Sequence, residues 1–301
     1  STTTITREQI NERPEIYLDQ LINKEMGIWT TQVPANQVDP TGATVGIRGI
    51  GNQAERVLVM VDGVPINDGA FRTIDWNLIP RDTIEKVEIL RGGGATSLWG
   101  NLAEGGVINI ITRDPGKTPN NVGFRYGSFN TRVGEVSSTL YNGDEYQASF
   151  NFNTIYSDGY ALTPSQSQIG TLVNLRSPAS SNAASATNNG LFSQTWKPTD
   201  WAKFYMKLNA SELLQNGITY STAGNQWYKY DYRGGGEIKY SNTGSINMNS
   251  YWDYSQMDKQ NGAQYGSIYS TACGGTKIGY ATMLSFANLG NNKCLNAQNA
   301  A

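Results

Sequence analysis

Apolar and polar residues alternate along several segments in the second part of the chain. In the stretch 146–156 one face carries Ala148, Phe150 and Phe152, and the other carries Ser149 and Asn151. A period of two residues is typical of a β-strand with one apolar face and one polar face. The same pattern recurs in the segments 202–210 and 246–254. We therefore predict several consecutive antiparallel strands.

The connections between these segments differ in length. Long polar stretches run from Ser157 to Asn189 and from Ser211 to Gly236. The short connections, apart from an early turn at Ser128–Thr131, are Asn142–Asp144, Lys197–Asp200 and Asn242–Gly244. A water-facing β-sandwich also alternates, so periodicity alone leaves that alternative open. Short turns on one rim and long loops on the other are typical of an outer-membrane barrel, which this order favours.

The first part has a different, mixed pattern. Apolar residues between Ile10 and Gly27 follow a Thr6–Gln9 start that is typical of a helix cap, so one amphipathic helix is predicted there. The β-branched run Val57–Asp68 is interrupted by Asp62-Gly63, a strong turn signal. Further elements are a strand at Thr2–Thr6, a short helix leading into a strand at Asp82–Arg91, and a buried strand at Gly105–Arg113. This mixture predicts a small α+β domain.

Composition places a boundary between the two parts. Of the 17 tyrosines, Tyr17 alone precedes Asn120. We therefore predict one domain at residues 1–117 and a second at 118–301. The net charge of −2 gives no reason to expect nucleic acid as a partner. No run approaches the roughly 18 apolar residues of a membrane-spanning helix, so a membrane role would depend on barrel strands.

The chemistry available to the chain is limited. It has no histidine, which excludes Ser/His/Asp triads, Cys/His pairs and histidine metal sites, and we expect neither an enzyme nor a bound cofactor. Cys273 and Cys294 lie among Gly, Asn and Ser, which favours a disulfide in an exposed loop of an oxidised compartment over two free thiols. The start of the chain has no charged and apolar signal segment, and we expect an exported protein that has been processed.

Five motifs carry a family resemblance. In order they are IRG (47–49), VLVMVDGVPIND (57–68), IPRDTIEKVEILRG (79–92), SLWG (97–100) and GGVINIIT (105–112). In order and spacing they resemble the plug of the TonB-dependent outer-membrane receptors. The resemblance covers about residues 5–117 and continues into FRYGSFNTR (124–132) and YSDGY (156–160), which are similar to the first barrel strands of that family.

The resemblance implies a fold and a function. The fold is an α+β plug followed by a transmembrane antiparallel β-barrel. The barrel of the family has 22 strands, and this chain contains about a third of them. The function is import of a scarce nutrient across the bacterial outer membrane, driven by TonB and its inner-membrane energising complex. A ferric siderophore is the first choice of ligand, ahead of cobalamin, another metal chelate or an oligosaccharide. An outer-membrane adhesin or structural barrel is the alternative from another class. We expect outer-membrane lipid to surround the barrel. No TonB box is recognisable in the sequence.

The resemblance also assigns roles to residues. Arg48 and Arg91 match the plug arginines that pair with acidic residues of the barrel, although local pairing with Glu85 or Glu88 is an alternative. Candidates for contact with ligand at the plug apex are Gln53, Phe71, Arg72, Trp76 and Trp99. For each of these side chains, an ordinary role in packing is the alternative interpretation.

Overall fold

The structure is a computed structural model of the 301-residue chain. The residues that it describes are 2–31, 43–50, 56–69, 72–92, 96–160, 182–216, 222–261, 268–269 and 277–278.

Short helices and strands make up the chain before residue 118. They are β1 (Thr2–Ile5), α1 (Arg7–Glu12), α2 (Leu18–Ile22), β2 (Ile28–Thr30), β3 (Val45–Ile47), β4 (Val57–Val61), β5 (Val64–Pro65), β6 (Ile84–Arg91), α3 (Thr96–Trp99) and β7 (Gly106–Thr112). Short 3₁₀ helices lie at Trp76–Leu78, Arg81–Thr83, Gly100–Ala103 and Pro115–Lys117. The predicted mixture of α and β elements is confirmed.

A five-stranded sheet forms the centre of this first part, with the order β1-β6-β7-β4-β5. β4 and β7 pair in parallel, and the other neighbours pair antiparallel. Every residue of β4 is buried, as expected for a strand covered on both faces. Ile10, Leu21 and Ile22 from the helices close one side of the core, and β2 and β3 form a separate antiparallel pair.

The single helix predicted between Ile10 and Gly27 is a wrong prediction. The structure has two helices, α1 and α2, separated by a segment that contains Pro14. Proline lacks the backbone N–H that helix continuation needs and disfavours helical geometry at the preceding residue, here Arg13 with ψ of 136°. The predicted cap at Thr6 is confirmed, since Thr6 and Gln9 form a reciprocal capping box.

The turn predicted at Asp62-Gly63 is confirmed. Both residues have positive φ, 52° and 79°, which reverses the chain between β4 and β5. The short helix predicted before the strand at Asp82–Arg91 is present as a 3₁₀ turn that leads into β6.

The second part is one seven-stranded antiparallel sheet, which we call the wall. Its strands are β8 (Asn121–Gly127), β9 (Thr131–Asn142), β10 (Tyr146–Ser157), β11 (Ser185–Thr199), β12 (Ala202–Gln215), β13 (Thr222–Lys239) and β14 (Ser245–Asn261). Each strand pairs with the next along the chain, and in the described residues β8 and β14 are the sheet edges. Two dipeptides, β15 (Ile268–Tyr269) and β16 (Lys277–Ile278), form a separate pair.

The two faces of the wall match the predicted alternation. Phe150 and Phe152 are exposed on the outer face, whereas Ser149, Asn151 and Asn153 are buried on the inner face. Cross-strand register continues the outer face as a row of bulky side chains through Phe150, Phe192, Leu208, Tyr232 and Trp252.

The long connection predicted at Ser211–Gly236 is wrong. β12 continues to Gln215 and β13 begins at Thr222, so only six residues, 216–221, lie between these strands. Near this end both faces carry polar side chains, such as Glu212 on one face and Asn225 on the other. The alternation of apolar and polar residues is therefore lost at this end. The strands continue because backbone hydrogen bonds between them do not depend on the side chains. No described helix is long and apolar enough to cross a membrane.

Candidate functional site

The first part, which we call the plug after its predicted role, meets the inner face of the wall at Asp62. The Asp62 carboxylate accepts hydrogen bonds from the Thr112 backbone N–H at 2.9 Å and the Thr112 hydroxyl at 2.8 Å. On the wall side, Lys207 Nζ lies 2.8 Å and an Arg233 nitrogen 3.8 Å from the same carboxylate. The Lys207 ammonium also donates to the Thr112 hydroxyl. One aspartate therefore joins β4 and β7 of the plug to β12 and β13 of the wall.

The Asp62 contact is partly withdrawn from water. The side chains of Asp62, Lys207 and Arg233 are between 11 and 13% exposed. Burial alone would raise the pKa of Asp62, but the Lys207 ammonium and the hydrogen bonds from Lys207 and Thr112 outweigh it and hold that pKa below its usual range. Asp62 is therefore ionised at neutral pH.

Further polar groups on the wall continue the Asp62 contact. An Arg233 guanidinium nitrogen lies 2.6 Å from Asp231, which accepts a hydrogen bond from the Asn209 side chain at 2.9 Å. Arg233 is thus held by a carboxylate of its own strand and faces a second one on the plug. Such charge-assisted contacts are strong when formed and separable when the two surfaces move apart.

A second charged cluster joins the plug to β8 and β9 of the wall. Arg125 of β8 pairs with Glu135 of β9 at 2.8 Å and approaches Asp82 of the plug at 3.8 Å. Arg7 of α1 lies 3.7 Å from the other oxygen of Asp82. Next to it, Arg81 donates to backbone carbonyls of the segment before α2, including that of Arg13 at 2.5 Å. The cluster ties the start of β6 to the wall.

Apolar contacts supplement the two charged clusters. Tyr17, with Ile16 beside it, packs against Val133 and Ile155, which are inner-face residues of β9 and β10. The small size of this cluster contrasts with the large core inside the plug. Among the residues that the structure describes, two charged clusters and this small apolar cluster join the plug to the wall.

The two arginines predicted to contact the barrel have different surroundings. Arg48 is exposed at the turn after β3, with a positive φ of 52°. Arg91 donates to the Met26 carbonyl at 3.1 Å and to the Thr3 hydroxyl, both within the plug. The alternative partners are engaged, since Glu85 faces Arg113 at 3.7 Å and Glu88 faces Lys86 at 2.6 Å. Pairing of Arg48 and Arg91 with barrel carboxylates stays a prediction.

The predicted ligand contacts that the structure describes differ in their exposure to solvent. Trp76 is 3% exposed and packs in the plug core, whereas Trp99 is 40% exposed at the end of α3. Arg72 is exposed with a positive φ of 60°. Gln53 and Phe71 lie outside the described residues, as do Cys273 and Cys294. Among the described residues there is no group of three or more acidic or cysteine side chains arranged to hold a metal ion.

The interface of Asp62, Lys207 and Arg233 was not predicted from the sequence. Asp62 belongs to a predicted turn, and Lys207 lies in the segment 202–210, whose alternation predicts a strand. The two are 145 positions apart, and no local pattern relates them. The usable signal was Lys207 on the inner face of a strand, because a charge that is buried there requires a partner.

Comparison with known proteins connects this geometry to a family. Residues 1–107 match the family model described as the TonB-dependent receptor plug domain. The vitamin B12 transporter BtuB of Vibrio cholerae is 31% identical over 161 residues, which are 53% of this chain and 25% of that protein. The ferric enterobactin receptor of Pseudomonas aeruginosa is 27% identical over 278 residues, covering 83% of this chain and 36% of that protein. The chain thus spans between a quarter and just over a third of the length of these relatives.

Solved structures share the fold. The siderophore receptor PirA from Acinetobacter baumannii superimposes with a TM-score of 0.67 at 21% identity, over 89% of this chain and 42% of that one. The ferric yersiniabactin uptake receptor FyuA from Yersinia pestis gives 0.68 at 16% identity, over 86% of this chain and 41% of that one. At these identities the likeness concerns the fold alone.

Proposed function

We propose, on the premise that residues 1–107 are a TonB-dependent receptor plug domain, that the protein imports a scarce nutrient across the bacterial outer membrane. In this proposal residues 1–117 are the plug and 118–301 are part of the barrel that surrounds it. TonB, energised at the inner membrane, supplies the force that rearranges the plug.

The observation that carries the proposal is the polar junction between plug and wall. A stopper that must move cannot share a continuous apolar core with its surroundings, because separating such a core exposes apolar surface to water. The charged clusters at Asp62 and Asp82 hold the plug through groups that water can solvate once they part. The junction therefore suits a plug that is retained at rest and displaced under load.

A ferric siderophore is the ligand that we favour, with cobalamin as the second candidate. The match to the ferric enterobactin receptor runs over 83% of the chain, against 53% for the match to the vitamin B12 transporter. Arg72 and Trp99, both exposed on the plug, are the proposed ligand contacts among the described residues. Gln53 and Phe71 belong to the same proposed set, and Trp76 is left out of it because its side chain is buried in the plug core. An aromatic and cationic surface suits an anionic chelate.

The outer face of the wall is the proposed contact with lipid. It presents Phe150, Leu208, Trp252 and Tyr254 to the exterior, each more than a third exposed. An outward apolar band flanked by aromatic residues is the arrangement that a transmembrane barrel requires. This face supports the proposed location in the outer membrane.

Uptake in cells tests the proposal. Radiolabelled ferric enterobactin and radiolabelled cyanocobalamin are supplied to four strains, with and without the full-length receptor gene and with and without TonB. We expect accumulation of the ferric chelate only when both are present, and binding without accumulation when TonB is absent. Uptake of both probes that is unaffected by either deletion contradicts the proposal and leaves a structural or adhesive barrel as the better interpretation.

A further inference from the structure

Neutral polar side chains cover the inner face of the wall across β10, β11 and β12. We call five of them, Ser149, Asn153, Thr187, Asn189 and Asn209, the polar track. Their side chains are between 1 and 7% exposed. Asn153 lies directly opposite Asn189 in the β10–β11 pairing, so the track crosses neighbouring strands as one patch.

The polar track lies under the plug. Its residues share the inner face with Lys207, which contacts Asp62, and with Ile155, which contacts Tyr17. In the strand register Ser193 lies opposite Lys207 and Thr187 lies opposite Ile155, at the two ends of the patch. The plug is therefore pinned to the wall on both sides of the track and buries it.

The buried oxygens of the track are not used by the fold. Within the described part of the chain, Ser149 Oγ, Thr187 Oγ1 and the Oδ1 atoms of the three asparagines have no hydrogen-bond partner. Only the amide nitrogen of Asn209 is engaged, with Asp231 at 2.9 Å. A buried acceptor without a partner lowers stability, and apolar side chains of the same shape are neutral or favourable there. Hydrogen bonding within the protein does not account for this choice of residues.

We propose that the polar track is the section of the wall along which the ligand passes when the plug moves. This inference rests on the proposed function and adds the path to it. The free oxygens accept hydrogen bonds from hydroxyl and amide N–H donors, so the track suits a hydrophilic, donor-rich ligand. Neutral groups bind such a ligand weakly enough to release it, which a transit surface requires. The charged clusters lie to the sides of the track and retain the plug.

Isosteric apolar substitutions in the full-length receptor test the track. In the double variant Asn153→Leu with Asn189→Leu we expect ferric enterobactin to bind as in the unsubstituted receptor and to enter about tenfold more slowly, the factor that two lost hydrogen bonds give. The thermal midpoint stays the same or rises, because two unpaired polar groups have been removed. Asn188→Leu is the matched control, since Asn188 adjoins Asn189 on the outer face, where it contacts Thr154 and Glu212, and its uptake stays normal.

Unchanged uptake in the double variant overturns the proposal, as does slower uptake that comes with weaker binding or a lower thermal midpoint. A second readout does not depend on the cargo. Asn189→Cys should react with a hydrophilic maleimide in cells with TonB and be protected without it, after subtraction of the labelling of the unsubstituted protein. Labelling that is independent of TonB overturns the track. If the unsubstituted receptor imports neither ferric enterobactin nor cyanocobalamin, the proposed cargo fails and the labelling alone decides the path.

Discussion

Asp62 shows how much of the molecule depends on one residue. Its backbone reverses the chain between two strands with a positive φ of 52°, and its carboxylate gathers Thr112, Lys207 and Arg233. A single side chain therefore fixes both the local turn and the position of the plug against the wall. Removing its charge would leave two cations partly buried without their partner on the plug.

We predict that Asp62→Asn lowers the stability of the docked plug by about 3 kcal/mol, the usual cost of breaking one side of a buried ion pair. The measurement is the urea midpoint of the purified full-length receptor, followed by tryptophan fluorescence. Asp114→Asn is the control, because Asp114 pairs with Lys117 at 4.0 Å with both side chains more than half exposed. Such a surface pair contributes little, so the control should keep the original midpoint. Equal midpoints for the two variants would remove Asp62 from the docking contact.

Asp75, another aspartate of the plug, should contribute to stability with the opposite pH dependence to Asp62. Burial raises the pKa of Asp75, and hydrogen bonds from Asn77 offset this only in part. The folded pKa exceeds the unfolded one, so the contribution of Asp75 to stability is full at low pH and is lost as pH rises through the folded pKa. Asp75→Asn, which keeps an acceptor oxygen, should therefore be as stable as the unsubstituted protein or more stable at pH 7.

The same linkage gives Asp62 the reverse pH profile. Its folded pKa is lowered, so its contribution is present above about pH 4 and falls as pH drops through the folded value. Urea midpoints of the two single variants between pH 3 and pH 7 check both signs. A stability difference between Asp62→Asn and the unsubstituted protein that grows toward acid pH would contradict the assignment.

At the scale of elements, prediction from sequence succeeded where local rules decide and failed where they do not. The turn at Asp62-Gly63 and the capping box at Thr6 follow from two to four neighbouring residues, and both are present. The strand faces follow from alternation. The ends of β12 and β13 could not be placed, because both faces become polar there and backbone pairing alone continues the strands. The apolar spacing continues past Pro14, so spacing alone predicts one helix where the proline separates two.

Gly106 is a position where strand pairing in the plug requires glycine. It has a φ of 144°, and a Cβ there would lie 2.3 Å from the Leu90 carbonyl oxygen of the neighbouring strand. Gly106→Ala should lower the stability of the plug by about 2 to 3 kcal/mol through backbone strain, measured by thermal unfolding. Gly190→Ala is the control, since the nearest atom to its Cβ would be 4.0 Å away. A similar loss in both variants would show that any added methyl group is harmful.

The proposed contact between the outer face of the wall and lipid can be tested by introducing a charge. Leu208→Arg, near the middle of the exposed apolar face, should lower stability in lipid vesicles by about 2 to 4 kcal/mol. Asn188 lies on the same face, opposite Glu212 and two outward-facing positions closer to the end of the strands. Asn188→Arg should therefore lower the stability by about 1 kcal/mol or less. Urea unfolding in vesicles compares them. Equal costs would mean that this face does not cross a bilayer.

At the scale of the whole molecule, the motifs predicted the plug and the alternation predicted the wall, but neither predicted how the plug contacts the wall. The junction depends on pairs such as Asp62 and Lys207, 145 positions apart, and on Arg125 with Asp82. Such contacts are set by how the plug is oriented inside the wall, which no periodicity encodes. The predicted ligand contacts Arg72 and Trp99 lie 27 positions apart in the sequence, so the sequence could nominate them without relating them.

The central claim is that the first domain closes the barrel that the wall begins. Its most direct test is the ionic conductance of planar lipid bilayers containing either the full-length receptor or a form that lacks residues 1–117. A wide barrel without its plug is a water-filled channel. We expect the full-length receptor to be closed and the deleted form to conduct steadily. Equal conductance of the two forms, with the deleted form correctly inserted, would contradict it.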